Sequence, residues 1–171
     1  MPANPNRSNL EAPVGTRLMS AVLAQNVRAA RRRRDLSQEQ VAARMKQLAH
    51  DTWSRVAVSS VEKGARAISA DELFSLSIVL STPLPALCDP AGLEGENTEP
   101  ICFGPETTVP AAVVHEWIAG RVRIEFLAPG SYTPHVLPGF QHVKPTVEKA
   151  MDEYSRLAAE ERSKSQKRKR R

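Results

Sequence analysis

Two capping signatures, each of which obliges a short helix to follow, constrain this chain more than anything else in it. Ser37-Gln38-Glu39-Gln40 puts a hydroxyl at a helix N-cap and an amide three residues later, the reciprocal pattern in which each side chain satisfies the other position's backbone. Val41, Ala42, Met45 and Leu48 then supply one apolar face. Further on, Ser54 suits a second N-cap and Gly64 a left-handed C-cap, which bounds a helix over about 54–63. A helix from about Leu18 to Arg33 precedes this pair, with Val22/Leu23, Val27 and Ala30 at helical spacing. Ser69 to Glu72 repeats the capping box before a fourth helix that buries Leu73, Leu76 and Leu80. Thr82-Pro83 then starts a fifth helix carrying Leu84 and Leu87, which Pro90 ends. The expectation is an all-α domain of five short helices over residues 17–90.

Charge says what such a domain could meet. The 171 residues carry a net charge of +5, distributed in blocks. From Arg17 to Ser69 there are eleven Lys/Arg against four Asp/Glu. From Asp71 to Glu106 there are seven acidic residues and no basic one, and six of the last eight residues are basic. A polyanion is therefore expected to bind the first block and to be repelled by the second. Arg31-Arg32-Arg33-Arg34 is not a patch in its own right, because residues about 100° apart around a helix point four ways. A cationic run at that end suits the dipole of the first helix.

With these residues in view, a family likeness can be stated. Residues 23–90 resemble the Cro/repressor-type (XRE-like) helix-turn-helix domains of bacterial and phage regulators. Leu36-Ser37-Gln38-Glu39-Gln40-Val41-Ala42 falls on the family's L-S/T-Q-x-x-L-A element, and Val58-Ser59-Ser60-Val61-Glu62-Lys63-Gly64-Ala65-Arg66 on I-S-x-I-E-x-G-x-R. The family's tight turn between the second and third helices is departed from, since Lys46 to Asp51 reads as an insertion of six residues. In this the chain is similar to a subgroup common in high-GC actinobacteria, whose second helix is longer and whose turn holds His and Trp, as His50 and Trp53 do here.

The resemblance implies a recognition helix lying in the major groove with its N-terminal residues at base edges. Arg55, Val56 and Ser60 match the family's outward-facing positions and are the candidate base contacts. Arg55 suits guanine O6/N7 and Val56 a thymine methyl, while Ser60 specifies little alone. A phosphate clamp is the competing role for Arg55. Gln38, at the start of a helix where backbone amides favour an anion, is implied to bind a phosphate and brace the third helix. Ser54, Lys63 and Arg66 complete the candidate phosphate contacts. The family further implies an ion pair between Arg31 and Glu62, which fixes geometry more than it adds stability. Trp53 reads as a plug beneath the lengthened turn rather than a stacking residue, and His50 as a hydrogen-bonder that fixes the turn.

The rest of the chain is less explicit. Residues 1–16 read as a disordered arm, 91–108 as an acidic linker and 163–171 as a basic disordered tail. Residues 109–162 read as an interaction or dimerisation region in a mostly irregular extension. Within it, Val109 to Gly120 suggests a short helix with Val113, Trp117 and Ile118 on its apolar side. Arg121 to Leu127 alternates as a strand does, and Pro129 to Pro145 reads as irregular. Thr146 to about Arg162 forms an amphipathic terminal helix with Val147, Met151, Tyr154 and Leu157/Ala158 on one face. No Gly-rich phosphate loop or nucleophile elbow points to an enzyme, and Cys102, His115, His135 and His142 lack metal-ligand spacing. No cofactor and no membrane span are expected, and the implied setting is cytoplasmic. Two functions stay open: a transcriptional regulator that binds double-stranded DNA as a homodimer, and an antitoxin-like or polymerase-contacting module that meets a protein partner through residues 100–160.

Overall fold

The computed structural model describes residues 13, 15–93, 98–104 and 106–169, so the arm expected over residues 1–16 lies almost wholly outside the described residues. A two-residue strand β1 (Arg17–Leu18) leads into α1 (Met19–Arg33), followed by α2 (Gln38–Gln47), α3 (Arg55–Glu62), α4 (Ala70–Val79) and α5 (Leu84–Cys88). The caps act as their residue types dictate. Ser37 Oγ accepts from the Gln40 N–H at 3.1 Å while Gln40 Oε1 accepts from the Ser37 N–H at 2.7 Å. Ser69 and Glu72 repeat this at the start of α4, and Ser54 Oγ accepts from the Ala57 N–H at 3.2 Å. Gly64 leaves α3 at φ +69°, a left-handed conformation that only glycine adopts freely.

The lengthened turn is not one loop. Lys46 and Gln47 extend α2, and the chain then reverses through Ala49 at φ 64°. The His50 N–H returns to the Met45 carbonyl and the Trp53 N–H to that of His50. His50 Nε2 lies 2.7 Å from Ser75 Oγ, which fastens the turn to α4. Trp53 is fully buried, among Met45, Val58, Leu76, Leu80 and Leu87, in the core shared by the five helices.

Beyond α5 the structure corrects the expectation of a linker and an irregular extension. Ile101–Cys102 forms β2, parallel to β1, and Thr108–Val109 forms β3, antiparallel to β2. Ile101 is fully buried, so the segment expected as an acidic linker supplies part of a second core. After α6 (Ala111–Ile118), β4 (Val122–Ala128) and β5 (Ser131–Val136) make an antiparallel hairpin, where Pro129 to Pro145 had read as irregular. The signal was present: Pro129-Gly130 is a turn dipeptide, and Gly130 takes φ +74° between the two strands. A 3-10 turn (Gln141–Val143) runs into α7 (Lys144–Lys169), which is helical through residues expected as a disordered tail. Only its start docks: Val147 is buried, whereas Leu157 is largely exposed.

Helix α1 joins the two halves. Val27 and Ala30 face the five-helix core, while Val22 packs with Ile101, Val109, Val113, Val114, Val122, Val143 and Val147 in the second. On the same helix, Asn26 is buried and fully used. Its Nδ2 donates to the Leu87 and Asp89 carbonyls at 3.0 and 2.9 Å, and its Oδ1 accepts from the Leu93 N–H at 3.2 Å. Helix α6 buries Val113, Val114 and Glu116 and leaves Trp117 outward, against the expected apolar side. The Glu116 carboxylate is paired with Arg121.

Candidate nucleic-acid interface

The candidate surface is built on one buried carboxylate. Glu62, in the last turn of α3, is 4% exposed and receives a two-pronged contact from Arg31 of α1, Nε to Oε1 at 2.5 Å and Nη2 to Oε2 at 3.1 Å. Arg31 Nη1 donates to the Leu36 carbonyl at 2.8 Å, between α1 and α2. Gln38, the first residue of α2, donates through Nε2 to Glu62 Oε2 at 2.8 Å. Three helices are thus tied at a single side chain, with planar groups that match one another's geometry. The hydrogen bond to Glu62 raises the Arg31 pKa against the opposing effect of burial, so the guanidinium stays charged at any working pH.

Around this clamp the sequence-derived contacts divide. Arg55 and Val56 stand at the start of α3, with the Arg55 side chain 68% exposed and Val56 70% exposed. Val56 and Ser60 are four residues apart and share a face of the helix, with Ser60 partly covered. Ser54 and Lys63, at the two ends of α3, are exposed. Gln38 is half-buried and braced, with its carbonyl oxygen left for another partner among the described contacts.

Arg66 lies elsewhere. Its guanidinium covers the Trp53 ring at 4.7 Å from the centroid and donates to Glu72 Oε1 at 2.5 Å, an atom that also accepts from Trp53 Nε1 at 2.7 Å. Burial pushes the Glu72 carboxyl upward, but hydrogen bonds from the Ser69 backbone, Arg66 and Trp53 hold it below its ordinary value. A cation stacked on a buried indole and shared with a carboxylate is a structural brace for the turn between α3 and α4.

Sequence reasoning did not single out Glu39. This second residue of α2 faces Arg55 across the helix pair, with Oε1 at 2.8 Å from Arg55 Nε. Hydrogen bonds from its own backbone N–H and from Ser37, with the nearby charge of Arg55, keep its carboxyl below the usual range. The position was readable as a first-turn acid beside a helix dipole. Its reach to the start of α3 was not, because the lengthened turn sets that distance.

Comparison with known families agrees with this architecture. Residues 27–87 match the family model described as Helix-turn-helix, from the second half of α1 to α5. The searches of curated proteins and of solved structures returned no match. Residues 27–87 are a helix-turn-helix domain of the Cro/repressor type, which supports DNA binding in transcription regulation as the general role. No helix among the described residues is long and apolar enough to cross a membrane.

Proposed function

We propose that the chain recognises specific sequences in double-stranded DNA by laying α3 in the major groove, with Arg55, Val56 and Ser60 at base edges. The observation that carries this reading is the exposure of Arg55 and Val56 at the first turn of an otherwise packed α3. An aliphatic β-branched side chain left in solvent beside an arginine suits a thymine methyl next to a guanine. Gln38 and Ser54, at the amide-rich starts of α2 and α3, and Lys63 serve the flanking phosphates. Arg66, committed to Trp53 and Glu72, supports the turn instead of the DNA. A homodimer on half-sites about one helical turn apart is the arrangement that goes with this mode, in the cytoplasm at the nucleoid.

The test is selection of bound duplexes from a random pool with the full chain, followed by measurement on the enriched site. Arg55→Ala is expected to cost about 1–3 kcal/mol on that site and to relax one base preference. Equal weakening on all duplexes would make Arg55 a phosphate contact, and a pool with no enriched sequence would sink the reading. A protein partner through residues 100–160 is a second reading. It is favoured by the exposed aromatics Phe103, Trp117 and Phe126, which line an apolar groove of about 330 Å³ with Ile124 and Tyr132.

A further inference from the structure

We infer that Glu39 is a positioning residue for Arg55, setting which edge of the guanidinium is offered to DNA and so sharpening base discrimination; the inference rests on the proposed role of Arg55 as a base contact. The two side chains come from different helices, and the contact is made at Arg55 Nε. A guanidinium carries its five N–H donors in a rigid planar fork. With the Glu39 carboxylate as an ion-pair partner beside Nε, the end bearing Nη1 and Nη2 is left for another acceptor, and among the described contacts neither nitrogen has a partner. Those two nitrogens are the pair that meets O6 and N7 of a guanine end-on.

The arrangement answers a physical difficulty. An exposed arginine samples many rotamers, and a phosphate is the strongest acceptor near any base edge. Glu39 counters both effects. It favours the rotamers that keep the Nε edge toward α2, and its own negative charge makes a neighbouring phosphate a poorer place for Arg55 to settle. The carboxylate sits at the start of α2, where the amide-rich helix end favours its negative charge and its pKa is lowered. Its position relative to α3 is fixed from the other side by Gln38 on Glu62. The Arg31–Glu62–Gln38 clamp therefore sets the spacing at which Glu39 reaches Arg55.

The experiment compares full-length protein, Glu39→Ala, Glu39→Gln, Arg55→Ala and the Glu39→Ala/Arg55→Ala double variant. Each is measured on the selected duplex, on the same duplex with the preferred guanine replaced by each other base, and on an unrelated duplex at two salt concentrations. Glu39→Ala is expected to reduce the preference for guanine by about 5- to 10-fold while the unrelated duplex binds as tightly or more tightly. Glu39→Gln, which keeps the size of the side chain and removes the charge of the ion pair, is expected to lose the preference as Glu39→Ala does. In the Arg55→Ala background, Glu39→Ala is expected to leave the base preference unchanged. A uniform change on every duplex with the guanine preference intact would overturn the inference and leave the role of Arg55 standing. If Arg55→Ala itself leaves that preference unchanged, the base-contact reading falls and the inference with it. Glu39 is exposed, so matched unfolding midpoints are expected to show that these variants fold alike.

Discussion

The two cores on either side of α1 are built by different means. The first holds Met45, Leu76, Leu80 and Leu87 from helices whose starts are marked by Ser37, Ser69 and Pro83, with Trp53 inserted from the turn before α3. The second is mostly valine, gathered from β2, β3, α6, β4 and the start of α7, with Val22 of α1 the member most distant in sequence. Helices with their own caps are specified locally, so their boundaries survive in the sequence. A core of small β-branched residues depends on strands meeting over long separations, and each two-residue strand means little until its partner is in place. The contrast also bears on function: α1 presents Arg31 to Glu62 at one end and Val22 to the second core at the other, so both cores constrain the helix that anchors α3.

The largest effect is expected from Trp53→Ala. It removes a fully buried indole, its hydrogen bond to Glu72 and the surface on which Arg66 stacks, and is expected to cost about 3–5 kcal/mol. Urea unfolding followed by circular dichroism measures it. The variant also tests how separate the cores are, because the chain has two tryptophans and Trp117 then reports alone, from the outer face of α6 beside the second core. If α1 couples the cores, the Trp117 fluorescence transition moves down in urea with the helical signal. A Trp117 transition that stays in place would show two independently unfolding halves.

Next comes the joint between them. Asn26→Ala strands the Leu87 and Asp89 carbonyls and the Leu93 N–H, and is expected to cost about 1–3 kcal/mol. Hydrogen exchange is expected to show the loss locally, with the Leu93 amide losing protection while Val58 in α3 keeps its own. Loss of protection spread evenly over both cores would mean that Asn26 stabilises the whole fold and is not a joint. Its partners run from α1 across to the residues after α5, so the effect on DNA binding is expected to be small.

How much of this was legible in the sequence follows from the same contrast. The capping boxes at Ser37 and Ser69, the cap at Ser54 and the glycine exit at Gly64 marked three helices, apolar spacing and Thr82-Pro83 marked the first and the fifth, and the structure has helices at all five places. Of the candidate site, the Arg31–Glu62 pair and the outward Arg55 and Val56 match the geometry found. Arg66 reads as a surface cation from its position beside Gly64, and only the fold brings Trp53 and Glu72 to it. The acidic stretch before α6 hid β2 because Ile101 and Cys102 pair with Arg17 and Leu18, more than eighty residues away in sequence. Trp117 illustrates the limit of periodicity: the helix is amphipathic, but packing chose Val113, Val114 and Glu116 for the inside.

The smallest expected effect comes from neutralising the carboxylate at the brace of the first core. Glu72 has its carboxyl held below its ordinary value of 4.5, with Arg66 and Trp53 as partners. A carboxylate with a depressed folded-state pKa contributes stability that is fully present above the unfolded value and is lost as pH falls through the folded one. Glu72→Gln removes the charge, keeps one acceptor oxygen and replaces the other, so that either the Ser69 N–H or the Arg66 and Trp53 donors lose their partner. At neutral pH the variant is expected to be less stable by about 1 kcal/mol, the order of one ordinary net hydrogen bond. Measured by urea unfolding at a series of pH values, that gap is expected to hold down to about pH 5 and to close as pH drops further, because the native carboxylate is then protonated too. The second core contributes nothing to this difference, since its titrating groups are common to both proteins. A gap that stays constant into acid would assign the contribution of Glu72 to shape and hydrogen bonding, with Arg66 held by stacking on Trp53 alone.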